Sequence, residues 1–129
     1  MAICLTGGFM EIIAKILVAL VALEHCYFLY LEMFLWTTPT AMKAFGLSKD
    51  FAQASKGLAA NQGLYNGFLA AGLAWSIFHP HADIGQQIAI FFLACVIVAG
   101  IYGGLTVKRT ILMLQALPAA IALIAVLVF

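Results

Sequence analysis

Apolar residues run along this chain in four long blocks separated by short polar stretches, covering about residues 12–36, 58–78, 88–106 and 110–129. Each passes the ~18 residues that mark a candidate membrane-spanning helix. The first block, 25 residues, makes a helix about 37 Å long at about 1.5 Å per residue, enough to cross a ~30 Å hydrocarbon core with some tilt. The pattern predicts an all-α protein: a four-transmembrane-helix bundle, one integral membrane domain over residues 1–129, with a short interfacial helix between spans one and two. That connection, "TTPTAMKAFGLSKDFAQASKG", has turn chemistry at Pro39 and Gly46, and Ser48 is placed to N-cap a short helix leading into span two. Phe45, Leu47 and Phe51 among lysines suit a segment lying on the membrane surface, and Trp36 suits an aromatic interface anchor.

Composition agrees with the pattern. Of 129 residues, 66% are apolar and 9% charged, against roughly 45–50% and about 25% in soluble domains. The lipid bilayer is therefore the first expected partner. A net charge of +1 with scattered basic residues excludes the basic face that nucleic acid requires. Cys4, Cys26 and Cys95 are odd in number, have no CxxC spacing and sit in or beside apolar segments, so they read as small buried hydrophobes rather than a disulfide framework. The N-terminus lacks the basic region of a signal peptide, and the first apolar block is far longer than the ~7–15 residues of a signal core, so the block is expected to stay attached.

Charge also sets a direction. Lys43, Lys49 and Lys56 lie between spans one and two, and Lys108 and Arg109 between three and four, against Lys15 alone on the other side. The positive-inside rule places both connections of this multi-pass chain in the cytoplasm, with both termini outside.

Small residues predict how the spans pack. Gly63 and Gly67, with Ala60, Ala70, Ala71 and Ala74, form one small-residue stripe on span two, and Gly100 and Gly104 beside Gly103 repeat the device on span three. Pro118 inside span four has no N–H and would clash with the Leu114 carbonyl, which predicts a kink beside Gln115.

The chemistry is concentrated in span one. At about 100° per residue Glu24, His25 and Glu32 share one helix face. His25 and Glu32 are about 10 Å apart along the axis, which rules out a direct hydrogen bond without water, a ligand or another helix. Counted back from Trp36, Glu24 is about 18 Å deep and Glu32 about 6 Å. Asn61, Gln62 and Asn66 on span two, Tyr102 on span three and Gln115 on span four enter from the same cytoplasmic end, whereas the outer half has almost no polar groups. A central carboxylate costs roughly 2.5–3.5 kcal/mol, so Glu24 is expected to face the bundle interior. These eight residues are the candidate ligand or proton site; Asn61, Gln62 and Asn66 suit helix-to-helix hydrogen bonding equally well. The external loop "FHPHADIGQQ" carries His79, His81 and Asp83 but no recognised zinc spacing, so no metal and no cofactor is expected.

In "EHCYFLYLEMFLW" and "LAANQGLYNGFLAAGL" the chain resembles the bacterial membrane-protein family catalogued as domain of unknown function 1304. The residues carrying the likeness are Glu24, His25, Glu32, Met33, Phe34 and Trp36, then Asn61, Gln62, Gly63, Tyr65, Asn66 and Gly67, with Gln115 and Pro118. The resemblance covers essentially the whole length and implies a small multi-pass protein of the bacterial inner (plasma) membrane; it brings no activity with it.

Three functions fit these features. The favoured one is binding or transport of a proton or a small polar or cationic molecule at Glu24 and Glu32. In length and in a glutamate on span one the chain resembles the small multidrug transporters, and so small a protomer would enclose a pathway only as a homodimer. The alternatives are a membrane-embedded acid/base enzyme, isomerase-like, acting on a lipid-soluble substrate, and a non-catalytic structural subunit.

Overall fold

In this computed structural model, the backbone of residues 2–129 and the side chains of residues 8–129 are described. Cys4 lies outside the described side chains. The chain forms α1 (Ala2–Phe34), α2 (Pro39–Phe45), α3 (Lys49–Phe78), α4 (Ala82–Thr106) and α5 (Arg109–Val128), and no strand occurs among the described residues. The all-helical expectation holds.

Among the described residues, three helices are long and apolar enough to cross a membrane: Gly8–Phe34 within α1, then α4 and α5. The fourth expected span, α3, has 30 residues and would be about 45 Å long, but it is not in that set. Lys49, Asp50, Lys56, Asn61, Gln62 and Asn66 dilute its apolar character. Its boundary also moves. Ser48 accepts a hydrogen bond from the Phe51 N–H through its side chain, at 3.2 Å, and caps a helix that runs unbroken to Phe78. The separate short helix lies before this cap. Pro39 opens α2, where its missing N–H costs nothing, and Gly46 closes it with φ 67°, a left-handed geometry that suits glycine.

The chain divides into two compact units, residues 23–70 and residues 1–22 with 71–129. In the first, the end of α1 packs on the start of α3. A Cβ on Gly63 would stand 2.7 Å from Met33 Cγ and 3.0 Å from Glu32 Cβ, and one on Gly67 would stand 2.6 Å from Leu29 Cδ1. The GxxxG stripe is thus used within the chain, for close approach of α3 to α1. Beyond α1, the Trp36 indole N–H donates to Ser55 Oγ at 3.0 Å and its ring packs on Phe45 at 4.9 Å. Ala41 of α2 and Ala52 of α3 are fully buried.

In the second unit α4 and α5 pack along the other glycine stripe. A Cβ on Gly100 would stand 2.6 Å from the Ala116 nitrogen, and one on Gly104 2.8 Å from Leu112 Cβ. Leu73, Leu93, Val96, Ala119 and Ala122 form its core, and the Phe92 ring fills the space over Gly72. Pro118 acts as predicted on the hydrogen-bond ladder, but the outcome is a π-helical turn, Leu112–Ala116, in which the Leu117 N–H donates to the Leu112 carbonyl. Proline withdraws one donor, and the wider turn re-pairs the backbone just ahead of it. The cysteine expectation fails at Cys26, which is exposed. It follows His25 by one residue, about 100° around the helix from that buried side chain.

Candidate functional site

Six of the eight candidate residues fall in the unit of residues 23–70. Glu24, His25 and Glu32 come from α1, and Asn61, Gln62 and Asn66 from α3. Gly63 sets the geometry by bringing α3 against the Glu32 turn, and Asn66, one turn further along α3, faces the carboxylate. Asn66 Nδ2 donates to Glu32 Oε2 at 2.6 Å. Both residues are buried, at 5% and 8% exposure.

His25 is buried, and its ring meets Phe28 edge-on at 5.6 Å. Glu24 is half-buried, and its Oε2 atom is buried with no hydrogen-bond partner among the described residues. A buried oxygen of this kind loses its water without replacement, which costs about 1–3 kcal/mol. Glu24 and Glu32 are eight positions apart on α1, about 12 Å along its axis. The two carboxyl groups therefore differ in kind: one is held by an amide, while the other keeps an open acceptor.

Four candidates behave differently. Asn61 and Gln62 are exposed, whereas Gly63 and Asn66 are buried. Tyr102 and Gln115 belong to the other unit. Tyr102 is 70% exposed, and its carbonyl accepts from the Thr106 hydroxyl. Gln115 is half-buried in the π-helical turn. Among the described residues no three His, Cys, Asp or Glu side chains are arranged to hold a metal.

Sequence reasoning missed a second polar set. In the unit formed by residues 1–22 and 71–129, Glu11, Lys15, Ser76, His79, Asp83 and Gln86 line one cavity of about 480 Å³. The helix ends around the α3–α4 turn, where almost no polar groups were expected, therefore carry several. The signal was present in Glu11 and Lys15, one turn apart on α1, and in the polar α3–α4 turn. Only the fold brings them together.

The family model described as "Protein of unknown function (DUF1304)" matches residues 19–127. The chain is similar to the uncharacterized protein YpaA of Lactococcus lactis subsp. lactis (strain IL1403), with 37% identity over 117 residues, 89% of this chain and 97% of YpaA. No solved structure matches. On the breadth of the family match, which takes in α1 from Ala19 through nearly all of α5, the chain belongs to the DUF1304 family.

Proposed function

We propose that this protein is a four-span, multi-pass protein of the bacterial inner membrane that binds a proton or a small polar or cationic molecule at Glu24 and Glu32. The observation that carries the reading is the buried Glu24 Oε2 with no partner among the described residues, on a helix apolar enough to span a membrane. An ionisable group inside such a helix is expensive, and a purely architectural role is served more cheaply by an uncharged residue. Asn66 already supplies the helix-to-helix hydrogen bond at Glu32, which leaves Glu24 without a structural task.

In this reading α3 is the fourth span and α2 lies at the interface. Support comes from the cavity in the second unit, which the starts of α1 and α4 both line. A chain that leaves that end along α1 must return before Ala82, and α3 is the intervening helix long enough to bring it back. Lys43, Lys49, Lys56, Lys108 and Arg109 then share the cytoplasmic side, with both termini outside. Transport, as opposed to binding, would take a homodimer.

The test is mass spectrometry of small molecules that co-purify with the wild type, compared with the Glu24→Gln/Glu32→Gln double variant. A parallel titration uses tetraphenylphosphonium as a cationic probe and follows proton release. The reading expects a species lost in the variant, and proton release that disappears in Glu24→Gln. Identical ligand profiles with no proton release in the wild type would overturn it.

A further inference from the structure

The cavity in the unit of residues 1–22 and 71–129 is a second site, of different chemistry from the Glu24 region. Its volume of about 480 Å³ lies within the roughly 300–1,000 Å³ of small-molecule pockets. Charges of both signs line it: Glu11 and Asp83 against Lys15. None of the three is ion-paired with another described residue, although Glu11 and Lys15 have the one-turn spacing that favours a pair.

The neutral polar groups have assigned directions. The Gln86 amide N–H donates to the Val126 carbonyl at 2.7 Å, satisfying one of the open carbonyls at the end of α5; the Gln86 oxygen remains an acceptor. The His81 backbone N–H donates to His79 Nδ1 at 3.1 Å. The same Nδ1 atom lies 3.1 Å from the His81 carbonyl oxygen, so the turn engages Nδ1 and leaves Nε2 as the other ring nitrogen. The cavity therefore combines two carboxylates with an ammonium and an imidazole. A simple cation would be opposed by Lys15, and a simple anion by Glu11 and Asp83. A zwitterion satisfies both.

Level and depth narrow the class. Two apolar helices have an end here, Ala82 of α4 and Val128 of α5, and α1 passes the same level at Glu11 and Lys15. In a bilayer such ends lie at the headgroup layer. Ala14, Val18 and Ala89 continue the lining along α1 and α4 as an apolar floor. Phe129 and the His79 ring are the only aromatic rings among the lining residues, so the aromatic cage that a quaternary ammonium uses is missing from that lining. Carboxylate acceptors suit a primary ammonium, which can donate hydrogen bonds.

We propose that this cavity binds a zwitterionic phosphate ester of a primary amine, with Glu11 and Asp83 taking the ammonium and Lys15 and His79 the phosphate. Two sources share this chemistry, the headgroup of phosphatidylethanolamine and free phosphoethanolamine. The test incorporates purified protein into vesicles of equal phosphatidylethanolamine and phosphatidylcholine and measures retained lipid by native mass spectrometry. Calorimetric titration with phosphoethanolamine forms the second arm. The expected result is enrichment of the ethanolamine lipid by about tenfold or more, or calorimetric binding of the free ester, the arm that responds identifying the source. Glu11→Gln/Asp83→Asn and Lys15→Met should each remove the preference while retaining the wild-type elution profile, and Glu24→Gln should leave it intact. Equal retention of the two lipids with no calorimetric signal would overturn the proposal, as would a preference that survives both cavity variants. The Glu24 variant separates this outcome from failure of the Glu24 and Glu32 reading.

Discussion

The Asn66 side-chain amide donates to Glu32 Oε2 at 2.6 Å, joining α3 to α1 across 34 positions of sequence. Gly63 makes the contact attainable, because any Cβ there would press on Glu32 Cβ and Met33 Cγ. Asn66→Ala leaves the buried carboxylate without its donor and should lower stability by about 1–3 kcal/mol. Glu32→Gln keeps an acceptor oxygen for the same amide and should cost less. Reversible unfolding in mixed micelles is expected to rank wild type above Glu32→Gln above Asn66→Ala; the opposite order of the two variants would mean that the amide does not hold the carboxylate.

The two glycine environments make a matched pair. At Gly100 a Cβ would stand 2.6 Å from the Ala116 backbone nitrogen, whereas at Gly57 nothing lies within 4 Å. Gly100→Ala must push α5 off α4, at about 1–3 kcal/mol. Gly57→Ala, in the exposed part of α3, should stabilise by about 0.4–1 kcal/mol by narrowing the unfolded ensemble. Melting curves of the two alanine variants should therefore move in opposite directions.

Much of this architecture is legible along the chain, and the limits of that legibility are physical. Apolar runs locate α1, α4 and α5 because lipid-facing and core-facing residues are alike in hydropathy, but the same signal understates α3, whose first two turns are polar and still helical. Helical spacing puts His25 and Glu32 on one face, and both are buried. It does not say how a neighbouring helix is rotated. Asn61, Gln62 and Asn66 are equivalent as a sequence pattern, yet only Asn66 meets Glu32, because Gly63 and Gly67 decide which side of α3 touches α1. Tyr102, one residue from the stripe of Gly103 and Gly104, points outward for the same reason. The cavity around Glu11 and Asp83 draws on residues from the two ends of the chain and its middle, which no local pattern connects.

The π-helical turn Leu112–Ala116 can be tested by removing a residue. Leu112 and Ala116 both press on the α4 glycines, and the wide turn holds the extra residue that separates this register from the buried Ala119, Ala122 and Ala125 face. Deleting Met113, an exposed residue of the wide turn, should restore ordinary helical spacing with both faces kept. Deleting Ile121, equally exposed but in regular helix, turns every later residue by about 100° and should be far more costly. Folded yield and melting temperature of the two deletions should differ clearly; similar losses would mean that the turn carries no surplus residue.

Glu24 gives the sharpest distinction between a binding role and an architectural one. Its buried Oε2 makes no hydrogen bond to a described residue, so the side chain contributes desolvation cost without a compensating contact. Burying an unpaired polar group costs free energy that an apolar side chain of similar size does not, and residues kept for function often hold stability below its optimum. Glu24→Met should therefore raise the melting temperature, or leave it unchanged, while abolishing proton release on addition of tetraphenylphosphonium. Glu32→Met, which strands Asn66, should lower it. A loss of stability in Glu24→Met comparable to that in Glu32→Met would give Glu24 an architectural partner and remove the basis for placing a ligand beside it.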